Sequence, residues 1–440
     1  MASLKRLVPA PLIDAYHRAL ARLAGIRYGH PSERMAVVGI TGTNGKTTAS
    51  WLTAKALEAA GDATGCTTTA LFKVGREEWT NDRKMTMLGR GEVQGLLRRM
   101  ADADCRYAVV ETSSQGIVQH RHEAIAYDVA VLTNLTPEHV EAHGGFENYK
   151  QAKIELFRHL ARLPHKRMGG RELPHLAVLN RASPHARDFA VAGLDGIVWY
   201  GIGRPEDGAD GIWAEDLRAE GWGMSFSVDG QRYRIDLPGE VNVENALVAI
   251  AVAVRVFGMQ PAKVAERLAA VPGMPGRFER ITEGQPYEVL VDYAAEPAAW
   301  QKLYDVVSAH KTGRIIHVFG SCGGGRDRAR RPVLGRMAAE RADIAIVTNE
   351  DPYDDDPMEI ITEIAAGARE AGMPEGRLRI VADRRDALFA AMREAKPGDI
   401  VLLTGKGSEQ AVMGPGGTRT SWDERAMARE AIRAAEGASR

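Results

Sequence analysis

Cysteine is scarce in this chain: 440 residues contain three, Cys66, Cys105 and Cys322. They are odd in number and lack the paired spacing of a disulfide framework or a zinc site, so they read as reduced thiols of a cytoplasmic protein. Charge of one sign is also lacking, because 57 lysines and arginines nearly cancel 58 aspartates and glutamates to a formal net charge of -1. No chain-wide field draws it to a nucleic-acid backbone or an anionic membrane, and nucleic acid is excluded as the expected partner. Long apolar runs are missing. The most apolar window, Leu247 to Phe257, is broken by Arg255 and falls short of the roughly 20 residues of a membrane span, so it reads as a buried helix. The first residues carry positive charge, but Pro9, Pro11 and Asp14 interrupt any apolar stretch of signal-peptide length. There is no internal repeat and no low-complexity tract. What remains is an ordinary globular composition, long enough for two or three domains.

Leu12, Ile13, Tyr16, Leu20 and Leu23 recur with a helical period, which predicts a short amphipathic segment within residues 1–34. From Met35 the pattern changes. Strand-like runs at Ala36 to Ile40, Tyr107 to Val110 and Val129 to Leu132 alternate with helical ones such as Lys46 to Ala60. That alternation predicts an α/β fold with a mostly parallel sheet over residues 35–276. Two prolines and two glycines punctuate Val271 to Gly276. A second α/β series follows over residues 277–440, with strands at Val289 to Val291, Ile315 to Phe319, Ile344 to Val347 and Ile400 to Leu403 and a helix over Arg331 to Arg341. Arg425 to Ala435 reads as a charged, alanine-rich helix with a solvated face.

The first predicted strand runs into Thr41-Gly42-Thr43-Asn44-Gly45-Lys46-Thr47-Thr48 and then a helix. This strand, glycine-rich loop and helix is the context that a phosphate-binding loop requires. Glycines let backbone N–H groups turn inward around phosphate oxygens, the helix N-terminus adds positive potential, Lys46 reaches the β- and γ-phosphates, and Thr47 supplies an oxygen for magnesium. The general motif places a glycine five residues before Gly45, where this chain has Ile40, with Gly39 one residue too early. A GTPase would carry an Asn-Lys-x-Asp base reader, and Thr348-Asn349-Glu350-Asp351 lacks the lysine. A second feature is Glu111, a carboxylate at the end of the Tyr107 strand, where open α/β sheets bind ligands. The Val129 strand similarly ends toward His139 and His143, four residues apart.

The loop Thr41 to Thr48 resembles the nucleotide loop of the Mur ligase and folylpolyglutamate synthetase superfamily, in which Ile40 is no longer an exception. Thr133 to Phe157, reading TNLTPEHVEAHGGFENYKQAKIELF, is similar to the family stretch TNL-x-x-DHL-D-x-HG that ends in Tyr-x-x-Ala-Lys, with Glu138 for its aspartate. The resemblance implies a central P-loop ATPase domain, a C-terminal Rossmann-like domain, and ATP and Mg2+ as cofactors. It implies Thr47, Glu111 and His139 as metal ligands, and Lys153 as a lysine carried as a carbamate. Ser113, beside Glu111, falls to the substrate. Leu237 to Ala246 resembles the segment whose asparagines lie near adenine, which assigns Asn242 and Asn245, although either also suits a helix N-cap. Pro275-Gly276-Arg277 resembles PGR-x-E, giving Arg277 a nucleotide contact, and Val291-Asp292-Tyr293-Ala294 resembles VDYA, giving Asp292 the ribose. Phe319 to Asp327 resembles the G-x-G-G-x-RD loop.

Among Mur ligases the likeness is to the MurE type. There an Asp-Asn-Pro-Arg motif pairs its arginine with the distal carboxylate of diaminopimelate, and this chain reads Glu350-Asp351-Pro352-Tyr353, followed by Asp354, Asp355 and Asp356. Gly405 to Gln410 resembles GKGHE, with Ser408 for the histidine. Asp351, Tyr353, Gly405 and Glu409 thus fall to the incoming amino acid, and the acidic run favours an amine with a cationic end. The resemblance extends from about Met35 to Ala435, leaving Met1 to Arg34 where MurE-type enzymes carry a UDP-binding domain of about a hundred residues. Three arrangements stay open: a UDP-linked acceptor held differently, a partner chain supplying that surface, or another peptide acceptor. The implied activity is ATP-dependent amide ligation through an acyl phosphate. Its competitors are a folylpolyglutamate or cyanophycin-type ligase and a non-catalytic nucleotide-binding module.

Overall fold

The β-branched run Ala36–Thr41, strand β1, is buried at every position, as a strand covered on both faces must be. The computed structural model describes residues 10–137, 143–325 and 328–438. The chain divides into two units between Pro272 and Gly273.

The first unit is built on an 11-stranded sheet. Its strands, with β1, are β2 (Thr64–Thr67), β3 (Leu71–Val74), β4 (Glu77–Thr80), β5 (Tyr107–Glu111) and β6 (Val129–Leu132). After a small hairpin, β7 (Arg167–Met168) and β8 (Arg171–Glu172), come β9 (Leu176–Asn180), β10 (Gly196–Ile202), β11 (Gly211–Glu220), β12 (Gly223–Val228) and β13 (Gln231–Ile235). The order is β13-β12-β11-β10-β9-β6-β1-β5-β2-β3-β4, parallel from β11 to β2 and antiparallel at both ends. Strand β1 lies between β5 and β6, and the registers Ile40 with Glu111 and Thr41 with Leu132 bring their carboxyl ends out side by side. Gly39 is a packing residue, since a Cβ there would lie 2.7 Å from the Tyr127 ring. That explains a glycine one position before the place a general phosphate loop would use.

Helices α1 (Ala10–Arg27), α2 (Lys46–Leu57), α3 (Arg90–Asp102), α4 (Ser114–Val118), α5 (Phe146–Arg162), α6 (Glu240–Ile250) and α7 (Pro261–Ala269) complete the unit. The apolar window from Leu247 is buried as far as Ala253, through α6 and the first half of the π-helical turn Ala251–Val256, while Arg255 is exposed. Neither asparagine caps α6: the helix starts at Glu240 with Gly239 as its N-cap, which places Asn242 and Asn245 inside it. Among the described residues no helix is long and apolar enough to cross a membrane.

The second unit has a 6-stranded sheet of β14 (Glu279–Arg280), β15 (Glu288–Asp292), β16 (Ile315–Phe319), β17 (Ile344–Val347), β18 (Leu378–Ile380) and β19 (Ile400–Thr404), ordered β14-β15-β19-β16-β17-β18. All neighbours are parallel except β14 with β15. Helices α8 (Pro297–His310), α9 (Arg330–Arg341), α10 (Pro357–Glu370), α11 (Arg384–Glu394) and α12 (Glu424–Ala438) belong to it. The last of these corrects the expectation of a merely solvated helix: Ala428, Ala431 and Ile432 join the core. Glu424 at its start is fully buried against Arg384 across 2.7 Å.

Candidate active site

The phosphate loop is shaped by its glycines. Gly45, the residue before α2, has φ 81°, and a Cβ on it would lie 2.3 Å from Asn245 Oδ1. At Gly42 a Cβ would lie 1.9 Å from Thr133 Oγ1. Both positions therefore exclude a side chain by contact as well as by backbone conformation. The segment after β6 grips the loop from the other side. Asn44 donates its backbone N–H to Asn134 Oδ1 at 3.0 Å, Thr133 Oγ1 donates to Asn44 O at 2.7 Å, and Thr43 N donates to Asn134 O at 2.9 Å. No acidic residue sits in the first turn of α2, so the positive end of the helix is uncompensated within its own sequence. Lys46 Nζ donates to Thr43 O at 2.7 Å.

Glu111 leaves β5 beside the loop and is 1 % exposed. Its Oε1 accepts from Thr47 Oγ1 at 2.9 Å and from Thr69 Oγ1 at 3.0 Å, and its Oε2 accepts from Thr69 N at 2.7 Å. The hydroxyl of Thr47 and the carboxylate of Glu111 are thus adjacent oxygen donors of the kind a hard cation takes, so this pair fits Mg2+. The third expected metal ligand, His139, lies outside the described residues. Its neighbour His143 has Nε2 3.1 Å from Ser114 Oγ. Ser113 caps α4, accepting from Gly116 N at 3.1 Å.

Lys153, on α5, is 1 % exposed, so it is no solvated helix lysine. Its Nζ donates to Gly42 O at 2.6 Å and stands 4.5 Å from the centre of the Tyr149 ring. Lys46, Lys153 and Arg121 line one cavity of ≈ 330 Å³ together with Ser113, Ser114 and Tyr149. Among the described residues no carboxylate lines it. Arg121 escaped sequence reasoning. It comes from the turn after α4 and is anchored to Gln119 Oε1 at 2.7 Å and to the Met87 carbonyl. Burial, and then Arg90, hold its pKa below the usual arginine value. Thr69 was also missed. Both come from short turns with no periodic pattern to single them out.

Asn245 Nδ2 donates to Asn242 Oδ1 at 3.1 Å, and Asn242 Nδ2 donates to Pro238 O at 2.8 Å, so Asn245 faces the phosphate loop with Asn242 behind it.

In the second unit the other predicted residues gather at the carboxyl ends of β15, β17 and β19. Asp292 accepts from Phe278 N and Ala294 N, each at 2.6 Å. Burial raises its pKa, against the opposing pull of Arg277 and those two N–H groups. The Arg277 guanidinium stacks 4.3 Å from the centre of the Tyr293 ring. A Cβ on Gly276 would lie 2.1 Å from Ser408 N, so the Pro-Gly-Arg turn and the Gly-Lys-Gly loop are in direct contact. Gly405 has φ +99° and faces Glu350, whose Oε2 would lie 2.2 Å from a Cβ there.

Lys406, absent from the sequence-derived set, is fully buried. It donates to Asp351 Oδ1 at 2.9 Å, Glu409 Oε2 at 2.7 Å and Ala411 O at 2.8 Å. Burial would lower its pKa, but Glu409 and Asp351 outweigh it and hold it above the ordinary lysine value. Asp351 and Glu409 thus brace a buried cation. Tyr353 adopts φ 52° and packs over Gly324, where a Cβ would lie 2.8 Å from its Cγ. The three aspartates after it are held by the protein itself. Asp354 accepts from Gly416 N at 2.7 Å, Asp355 pairs with buried Arg331 at 3.1 Å, and Asp356 caps α10 through Met358 N at 2.8 Å. Of the three, Asp355 meets a cation, while Asp354 and Asp356 are exposed and hydrogen-bonded to backbone N–H groups. Cys322 is 3.0 Å from Glu350 Oε1, and burial together with Glu350 keeps its thiol protonated.

Residues 40–253 match the Mur ligase middle domain and residues 276–407 the Mur ligase glutamate ligase domain. The chain is 42 % identical over 434 residues to a UDP-N-acetylmuramyl-tripeptide synthetase of Roseiflexus sp. (strain RS-1), covering 97 % of this chain and 84 % of that one. It is 35 % identical over 437 residues to a UDP-N-acetylmuramoyl-L-alanyl-D-glutamate–2,6-diaminopimelate ligase of Streptomyces coelicolor, covering 98 % and 82 %. A solved folylpolyglutamate synthase of Mycobacterium tuberculosis, complexed with ADP and AMPPCP, shares the fold at 20 % identity, with TM-score 0.66 over 88 % of this chain and 92 % of that one.

Proposed function

The chain belongs to the Mur ligase family of ATP-dependent ligases, and from that premise we propose that it adds an amino acid to a UDP-N-acetylmuramoyl-peptide acceptor in cytoplasmic peptidoglycan precursor synthesis. The observation that carries the reading is the cavity beside the phosphate loop, where the cationic Lys46 and Arg121 converge, Lys153 adjoins them, and no carboxylate stands among the described lining residues. Such a cavity suits an acceptor carboxylate approaching a γ-phosphate.

In this reading ATP lies with its phosphates over the loop amides and with Asn245 and Asn242 on the adenosine side. Thr47 and Glu111, with His139, hold Mg2+, which when bound neutralises charge on the phosphate oxygens. The acceptor carboxylate attacks the γ-phosphorus in line, forming a C–O–P linkage as the bond to the β-phosphate oxygen breaks and ADP leaves. Lys46 and the loop N–H groups stabilise the charge on the transferring group. The amine of the incoming amino acid then attacks the acyl carbon, phosphate departs with the bridging oxygen, and an amide remains. A carbamate on Lys153 belongs to the proposal. It forms by addition of the neutral amine to carbon dioxide with loss of a proton, and it sets a carboxylate-like group beside Gly42 in place of a cation.

For the incoming amino acid, Tyr353 stands where an arginine would pair with a distal carboxylate, and Asp351 and Glu409 position the Gly405 loop through Lys406. The uridine end of the acceptor is held outside the cavity, by this chain or by a partner. The folylpolyglutamate alternative rests on fold alone, since it shares 20 % identity against 42 % for the tripeptide synthetase.

The test is ADP release by the purified protein with ATP and Mg2+, comparing UDP-N-acetylmuramoyl dipeptide with folate and short peptides, each across a panel of amino acids. Release dependent on the muramoyl dipeptide supports the reading. Release only with folate or a free peptide would keep the chemistry and remove the pathway.

A further inference from the structure

The turn that carries Arg121 toward the cavity also carries His120, His122 and Glu123 away from it, against His159 of α5. His122 is 1 % exposed, and its Nδ1 has no hydrogen-bond partner. The Nδ1 of His120 is also buried without a hydrogen bond and lies 3.8 Å from Glu123 Oε2. Two orphaned ring nitrogens in one small region are unfavourable unless something takes their lone pairs. The His159 ring meets His122 edge-on, with centroids 4.9 Å apart and planes at 81°. His159 Nε2 is 3.1 Å from the Ile125 carbonyl oxygen. A carbonyl only accepts, so Nε2 carries the proton and Nδ1 the lone pair. A metal-binding histidine is usually oriented in this way, by a backbone acceptor on its far nitrogen. One donor atom from each of His122, Glu123 and His159 falls within 4.8 Å of the others.

We infer that His122, Glu123 and His159 form a site for a divalent transition metal of the Zn2+ class, separate from the nucleotide cavity. Imidazole donors select Zn2+ over Mg2+, and two histidines with one carboxylate leave water the fourth position of its tetrahedral preference. Arg18, Arg22 and Arg162 surround the cluster and oppose a cation. Arg22, however, is bound to Glu123 Oε1 at 2.9 Å, which leaves Oε2 on the side of His120. A metal here would brace the turn that aims Arg121.

The experiment uses the full, untagged chain, stripped of metal and kept in excess Mg2+ so that hard-cation sites stay filled. Zn2+ is titrated by equilibrium dialysis, and Co2+ serves as a spectroscopic probe. The expected result is one equivalent of Zn2+ per chain and the intense visible bands of tetrahedral Co2+. Glu123→Gln and His159→Asn should each weaken binding by at least about tenfold, with ATP binding unchanged. Should His159→Asn fail to fold, the partly exposed Glu123→Gln decides alone. No stoichiometric Zn2+ in the parent chain, or equal affinity in Glu123→Gln, would overturn the site.

Discussion

Lys153 donates to the carbonyl of Gly42 across 2.6 Å, tying α5 to the first glycine of the phosphate loop over 111 residues of sequence. The same side chain lines the cavity that Lys46 and Arg121 reach. A lysine so placed serves the loop and the cavity together.

Lys153→Met keeps the length of the side chain and removes its hydrogen bonds and its capacity for a carbamate. The expected loss in ADP release is about a hundredfold, of the size seen when a charge-stabilising group is deleted from a reaction site. Urea unfolding should move by only about 1 kcal/mol, one buried hydrogen bond. Activity within a few-fold of the parent would remove Lys153 from the mechanism. Incubation with 13C-bicarbonate should give a carbamate resonance in the parent that the variant lacks.

Thr47 and Glu111 share one hydrogen bond of 2.9 Å and, in the proposed role, one cation. Thr47→Ala and Glu111→Gln should each raise the Mg2+ concentration for half-maximal activity by roughly tenfold or more. The double variant should fall short of the sum of the two, as residues acting on one ligand do. Unchanged Mg2+ dependence in both single variants would place the metal elsewhere.

Arg121 faces the cavity from a turn, anchored by Gln119 and Met87. Arg121→Ala is expected to raise the acceptor KM by about tenfold, equivalent to about 1.4 kcal/mol, and to leave the KM for ATP alone. Matching increases in both constants would mean that the change disturbed the loop rather than the acceptor.

These residues differ in how far the sequence reveals them. The phosphate loop is local: glycines, a lysine and two threonines in eight consecutive positions sit where a strand meets a helix, and chain order alone exposes them. Glu111 is nearly as plain, because a carboxylate at a strand end points to the sheet edge. Lys153 is legible only through family likeness, since nothing in its spacing distinguishes a solvated helix lysine from one 1 % exposed. Arg121 and Thr69 were missed because turns, which carry no periodicity, fold them back onto the loop. Asp354, Asp355 and Asp356 show a different limit. Three adjacent charges look like a binding surface, while a backbone N–H, Arg331 and a helix end engage them separately. The antiparallel β3-β4 edge of the large sheet escaped because strands as short as Leu71–Val74 and Glu77–Thr80 leave too few residues to show alternation.

His317 gives a prediction about pH. It is fully buried between Tyr304, 2.6 Å from its Nδ1, and Thr404, 2.9 Å from its Nε2. Burial, and then Arg384, hold its pKa well below the ordinary histidine value. The unfolded chain takes up a proton near pH 6.5 and the folded chain does not, so stability is unaffected above that pH and falls below it. At pH 5.5 the loss is about 1.4 kcal/mol relative to neutral pH. Urea midpoints measured at both values should show it, and His317→Asn should flatten that part of the dependence. An equal slope in parent and variant would assign the effect to other groups.

The central claim is that an acceptor carboxylate is activated as an acyl phosphate over the Lys46 loop. The most direct test supplies a UDP-N-acetylmuramoyl dipeptide whose reacting carboxylate is labelled with 18O and follows the label. The account predicts that each phosphate released carries one 18O, the other remaining in the new amide, and that Lys46→Ala lowers the rate of this transfer by at least about a hundredfold. Phosphate released without label while the amide forms, or label transfer undiminished in Lys46→Ala, would contradict it.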